Sequence, residues 1–142
     1  MDELSQTGTP YFFLVDFLME NVEVFTEEEL DKSDLLIDFQ KFKKTDEPLG
    51  KPLDISFQSF PQSEESYRKG FDLVQKNLKA GNSYLTNYTC KTEVKTNLTL
   101  NEIFYLSQSK YKVLCPDGFV FFAREAFVES RGDGIFTPAM KG

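Results

Sequence analysis

The sequence predicts an α+β domain, and three observations carry that prediction. An amphipathic helix pattern fills residues 64–79, apolar runs suited to strands recur on both sides of it, and turn formers separate those runs at hairpin spacing. With 142 residues the chain is read as one domain, 1–142, long enough for a real core.

In chain order, Tyr11 to Phe17 (YFFLVDF) and Asn21 to Phe25 (NVEVF) read as two strands turning at Met19-Glu20-Asn21, a first hairpin. Thr26 and Glu29 stand at capping-box spacing, which starts a short acidic helix that hardly extends beyond Ser33. Leu35 to Phe39 resumes strand character. Lys41 to Gly50 is charged, ends in turn formers and reads as a linker. After it Leu53, Ile55, Phe57 and Phe60 are expected to lie partly against the core.

The central helix has Tyr67, Phe71, Val74 and Leu78 on one side, Ser63 as N-cap and Gly81 as left-handed C-cap. Glu64 and Glu65 suit its positive end, and Lys76 and Lys79 its negative end. Beyond Gly81, alternation through Tyr84, Thr86, Tyr88, Cys90 and Thr92 predicts a strand with polar groups on both faces. Thr99 and Glu102 form a second capping box, with Leu98 and Ile103 placed as a hydrophobic staple, so a helix begins at Leu100 and points Ile103 and Phe104 inward. Lys110 to Cys115 and Phe119 to Ala123 flank Pro116-Asp117-Gly118, a turn in which Gly118 can take positive φ. Ala126 to Glu129 and Ile135 to Thr137 complete the strands around a turn at Arg131 to Gly134.

Composition excludes several functions. The chain has 16 basic and 23 acidic residues, a formal charge of -7, which disfavours nucleic-acid backbones and anionic membranes as partners. Lys41, Lys43 and Lys44 read as a solvated turn, and Glu27-Glu28-Glu29 as a solvated helix face. There is no histidine, so neither a Ser-His-Asp nor a Cys-His pair is available within this sequence. Cys90 and Cys115 are too few for a disulfide framework and too far apart for a zinc knuckle; reduced, partly buried thiols in a cytoplasmic protein are expected. No targeting or membrane-spanning segment is legible.

Four positions and a lysine are the candidates for chemistry. Lys141 can act as a nucleophile where its surroundings favour the neutral amine, with Gly142 allowing close approach; from local sequence alone it reads as an exposed lysine. Glu125 interrupts an aromatic run, as a functional carboxylate or an outward strand residue. Tyr84, Thr86 and Asn87 can hydrogen-bond an anionic ligand or satisfy neighbouring strands. The strand-like run up to Lys141-Gly142, with no polar tail, raises the expectation of a fragment truncated after Gly142.

The stretches YFFLVDFLMENVEVF, YRKGFDLVQKNLKAGNSYLTNYTCKTEV, FVFFAREAFV and FTPAMKG resemble, in order and spacing, the amino-terminal part of component I of aminodeoxychorismate synthase, in the chorismate-utilising enzyme family. The family's Gly-Asp/Asn-x-Tyr/Phe-x-x-Asn pattern falls on Gly81 to Asn87. Its Ser-Pro-Glu falls on Ala123-Arg124-Glu125, retaining only the glutamate, and its Pro-Ile/Met-Lys-Gly-Thr on Ala139 to Gly142, with proline shifted to Pro138. The resemblance implies a portion of an antiparallel two-sheet fold with flanking helices, with incomplete sheets that self-associate through open strand edges. It implies a parent enzyme converting chorismate and ammonia to 4-amino-4-deoxychorismate for para-aminobenzoate and folate synthesis, with a glutamine amidotransferase subunit as partner. Lys141 would be the nucleophile, with Tyr84, Thr86, Asn87 and Glu125 supporting the site. Magnesium would be held by residues downstream of Gly142, which leaves the isolated segment inactive. Anthranilate or isochorismate synthase is the alternative enzyme, and a non-catalytic interaction module the alternative class.

Overall fold

Two segments, Leu35 to Phe39 and Tyr111 to Cys115, carry apolar residues at both strand parities, the pattern of a strand covered on both faces. In the computed structural model they form the middle of a sheet. The structure describes residues 2–39, 42–46, 50, 54–126, 128–132 and 134–137. The elements run α1 (Asp2–Thr7), β1 (Tyr11–Val15), β2 (Val22–Thr26), α2 (Glu27–Lys32), β3 (Leu36–Asp38), β4 (Lys43–Lys44), β5 (Phe57–Phe60), α3 (Glu64–Lys79), β6 (Glu93–Thr96), α4 (Leu100–Leu106), β7 (Tyr111–Cys115), β8 (Phe119–Ala123), β9 (Glu129–Arg131) and β10 (Gly134–Phe136). All pairings are antiparallel and the class is α+β. The chain divides into two compact units, Met1–Lys51 with Thr99–Gly142, and Pro52–Leu98.

The first unit is built on a four-stranded sheet in the order β4-β3-β7-β8. Leu36 faces Leu114 and Ile37 faces Val113 across the central ladder, so consecutive residues of each strand serve opposite layers. On one face Leu35, Ile37 and Val113 pack with Leu30 of α2, joined by Phe12, Leu14 and Phe25 of the β1–β2 hairpin. On the other, Leu36 and Leu114 pack with Phe104 of α4, joined by Leu100, Tyr105 and Val120. Phe104, Ile37 and Leu114 are fully buried and anchor the two layers.

Both covering helices start as their sequences specify. Thr26 accepts from the Glu29 amide and Glu29 accepts from the Thr26 amide; Thr99 and Glu102 repeat the arrangement at α4. The hydrogen bond from the capping threonine amide, followed by that from its hydroxyl, lowers the pKa of Glu29 and of Glu102.

The other ends of these helices depend on two lysines. Lys44 of β4 donates to the Leu30 carbonyl at 2.6 Å and to the carbonyl of Ser33. Lys112 of β7, 7% exposed, donates to the carbonyls of Phe104 at 3.3 Å and Ser107 at 3.2 Å. Its ammonium lies 3.4 Å from Asp38 and 4.7 Å from the centre of the Phe104 ring. Each lysine therefore places a cation on carbonyls at the negative end of a helix. The expectation that Lys44 belongs to a solvated turn is corrected: Lys44 pairs across from Ile37 and so points toward α2.

The hairpin turn is held by Asp16, whose carboxylate accepts from the Glu20 amide at 2.8 Å and the Asn21 side chain at 2.7 Å. Gly118 does not use the positive φ open to it; its amide donates to the Cys115 carbonyl at 3.0 Å, closing a turn that needs no left-handed residue there. Gly132, at φ 58°, supplies the left-handed residue between β9 and β10.

In the second unit α3 spans Glu64–Lys79 as predicted, with Ser63 accepting from the Ser66 amide and Gly81 at φ 76°. β5 pairs with β6. The strand expected over Tyr84 to Thr92 does not form; no ladder engages it among the described residues. Polar groups on both of its faces leave no one-sided apolar drive to choose a register. Ile55, Phe57 and Phe60 are exposed rather than set against a core, because one helix and two short strands enclose no interior. Leu53 lies outside the described residues. Cys90 is exposed and Cys115 half-buried, both free thiols, so only Cys115 has the expected partial burial.

Replacing Lys112 with Met keeps the aliphatic stem and removes the donor. Urea denaturation should show a loss of about 1–3 kcal/mol, the usual cost of leaving buried carbonyls unpaired. The folded pKa of Glu102 lies below its ordinary value of 4.5, so its cap contributes fully above that pH and is lost as pH falls through the lower, folded value. In Glu102→Gln the acid side of the stability profile should be shallower; an unchanged slope would remove the capping carboxylate from the acid transition.

Candidate functional site

The polar site of the first unit arises where the β7–β8 ladder ends. Tyr111 pairs with Ala123, so Lys110 and Arg124 leave the ladder side by side. The bend after β8 then presents Glu125, and the loop after α4 brings Gln108 and Ser109 to the same opening. These five residues line an open cleft of about 490 Å³. Among the described residues, two cations, a hydroxyl and an amide stand around one carboxylate, a set suited to a small anionic ligand carrying hydrogen-bonding groups. Glu125 is exposed there, in a bend rather than the outward strand position that the sequence allowed.

Tyr84, Thr86 and Asn87 belong to the second unit, on the irregular segment that follows α3. Tyr84 is 99% exposed and Leu85 90% exposed. The Ser83 hydroxyl donates to the Leu85 carbonyl at 3.0 Å and the Thr86 hydroxyl donates to Ser83 at 3.4 Å, which curls the segment locally. Tyr84, Thr86 and Asn87 meet only as neighbours along this segment, while Glu125 stands in the cleft of the first unit. Lys141 lies outside the described residues.

Sequence reasoning missed the residue that pins this segment. Tyr88 packs 5.5 Å from Tyr67, and its hydroxyl sits so close to Gly70 that a Cβ there would meet it at 1.9 Å. A glycine inside an otherwise regular helix was the available signal. The Cys90 thiol, and secondarily desolvation, raise the pKa of the Tyr88 phenol. Lys110 and Arg124 were also missed as site residues, because only the ladder register makes them neighbours.

No group of three or more Asp, Glu, Cys or His side chains able to hold a metal ion occurs among the described residues. No described helix is long and apolar enough to cross a membrane.

No family model and no solved structure matches the chain. Two curated proteins do. The chain is 39% identical over 135 residues to an uncharacterized PabA-like protein of Haemophilus influenzae, covering 94% of this chain and 40% of that protein. It is 35% identical over 144 residues to the uncharacterized PabA-like protein PM1464 of Pasteurella multocida, covering 99% of this chain and 44% of the relative. The chain therefore spans about two fifths of the length of the curated relatives it matches.

Gly70→Ala should displace Tyr88 and release the segment around it while α3 keeps or gains helicity, since alanine is the better helix former by about 1 kcal/mol. Limited proteolysis should cut residues 84–92 faster, with no loss of helical circular dichroism; unchanged cleavage would show that Tyr88 is not the peg.

Proposed function

We propose that this chain is part of an aminodeoxychorismate synthase, corresponding to component I, that makes 4-amino-4-deoxychorismate from chorismate and ammonia. The observation that carries the reading is the match along nearly the whole chain to two PabA-like proteins, whose name links them to para-aminobenzoate synthesis. PabA designates the glutamine amidotransferase subunit of that system, which favours a second reading, an amidotransferase-like segment. That chemistry rests on a Cys-His pair, and this segment contains no histidine. The ordered motifs from YFFLVDF to FTPAMKG favour the synthase component.

In this reading the Lys141 amine adds to the chorismate ring as the ring hydroxyl leaves, carrying off an amine proton as water, and the amine is expelled in turn, recovering a proton, when ammonia forms its own bond to the ring. Lys110 and Arg124 draw a substrate carboxylate toward the opening that holds Glu125, and Gln108 and Ser109 orient it by hydrogen bonds. The same ordered resemblance points to Tyr84, Thr86 and Asn87 as supporting residues. Magnesium would organise substrate carboxylates, with ligands that the resemblance assigns to residues downstream of Gly142. An amidotransferase subunit supplies the ammonia. The setting is cytoplasmic, in keeping with two free thiols.

The test is formation of 4-amino-4-deoxychorismate from chorismate, ammonia and magnesium by this chain, by the chain extended along its native reading frame, and by the extended chain carrying Lys141→Ala. Turnover is expected only in the extended protein, with a fall of at least about 100-fold in kcat on removing the lysine amine. A folded extended protein that leaves chorismate unchanged would sink the proposal.

A further inference from the structure

β8 is an edge strand without the usual protection. Its sequence FVFFA contains neither charge nor proline, and among the described residues it is last in the sheet order and pairs on one side only. Phe119 and Phe121, opposite Cys115 and Val113, point to the α2 side. There α2 and the hairpin cover β3 and β7 but leave Phe119 and Phe121 44% and 47% exposed. On the opposite side α4 covers Val120. The sheet thus presents an unpaired backbone edge and, beside it, an uncovered aromatic shelf on one face.

We propose that β8 is an interaction surface for a strand from the polypeptide that corresponds to the unmatched part of the PabA-like relatives. That strand extends the sheet along β8 and lays alternate apolar side chains over Phe119 and Phe121. Both relatives align with nearly all of this chain yet have most of their length outside the match, so the sequence that would cover the edge exists in them. A formal charge of -7 opposes the association of two copies and favours this occupant. The inference rests on the part of the functional reading that makes this chain a portion of a longer protein, and not on its catalysis.

The experiment co-expresses this chain with the unmatched part of the Haemophilus influenzae relative as a separate polypeptide, and reads mass by light scattering and amide exchange across residues 119–123. A 1:1 complex is expected, with β8 amides exchanging at least about tenfold more slowly than in the chain alone. The double variant Phe119→Lys/Phe121→Lys should abolish the complex. Phe121→Thr, which keeps strand propensity, should weaken it about tenfold while the thermal transition of the isolated chain stays in place. A homodimer that protects β8, a complex that leaves β8 exchanging freely, or no association would each overturn the proposal. A complex with β8 protected but no aminodeoxychorismate formed would overturn the synthase reading and leave the docking surface standing; turnover with β8 unprotected would do the reverse.

Discussion

The pairing of β3 with β7 is the constraint from which the first unit follows. It joins Leu36 to Leu114 and Ile37 to Val113 across a long stretch of chain that includes the whole second unit. Closing so long a loop costs entropy, but the cost grows only slowly with loop length, and two apolar layers offset it at once. Without this ladder neither α2 nor α4 has a surface to cover, and Lys112 has no reason to be buried.

The same ladder explains where polarity is tolerated inside. Lys112 and Asp38 are opposed across β3 and β7, facing the α4 side, where the C-terminal carbonyls of α4 need donors. Lys44 does the corresponding work for α2 on the opposite face. A buried ammonium is costly unless its donors are used, and here helix ends supply the acceptors. The polar cleft is a further consequence: once Tyr111 and Ala123 close the ladder, Lys110 and Arg124 emerge together beside Glu125.

The second unit shows the opposite balance. α3 has well-specified ends but buries no residue fully, and β5 and β6 leave Phe57, Phe60 and Val94 exposed. Tyr84 and Leu85 carry aromatic and aliphatic surface into solvent. Their segment is held by Tyr88 against a glycine rather than by a ladder, so the candidate substrate-supporting residues are displayed without the second partner that would fix their geometry.

What the sequence by itself determined is what depends on residues a few positions apart. The capping boxes at Thr26 and Thr99, the bounds of α3, the left-handed Gly81 and the hairpins β1–β2 and β7–β8 are set by short-range hydrogen bonds and backbone preference, and all are legible; of β9–β10 the turn region was legible, but β9 forms at Glu129–Arg131 rather than over the expected Ala126 to Glu129. Of the candidate site, Glu125 was legible as a residue but its neighbours were not. Tertiary structure decided which strands met, since the β3–β7 register is a choice among distant segments that no local pattern encodes. It decided that Lys44 and Lys112 would serve helix ends, and that Lys110 and Arg124 would flank Glu125. It also decided that Tyr84 to Thr92, despite its alternation, stays unpaired. A strand is stabilised by its ladder, and within the described residues that segment has no partner to complete one.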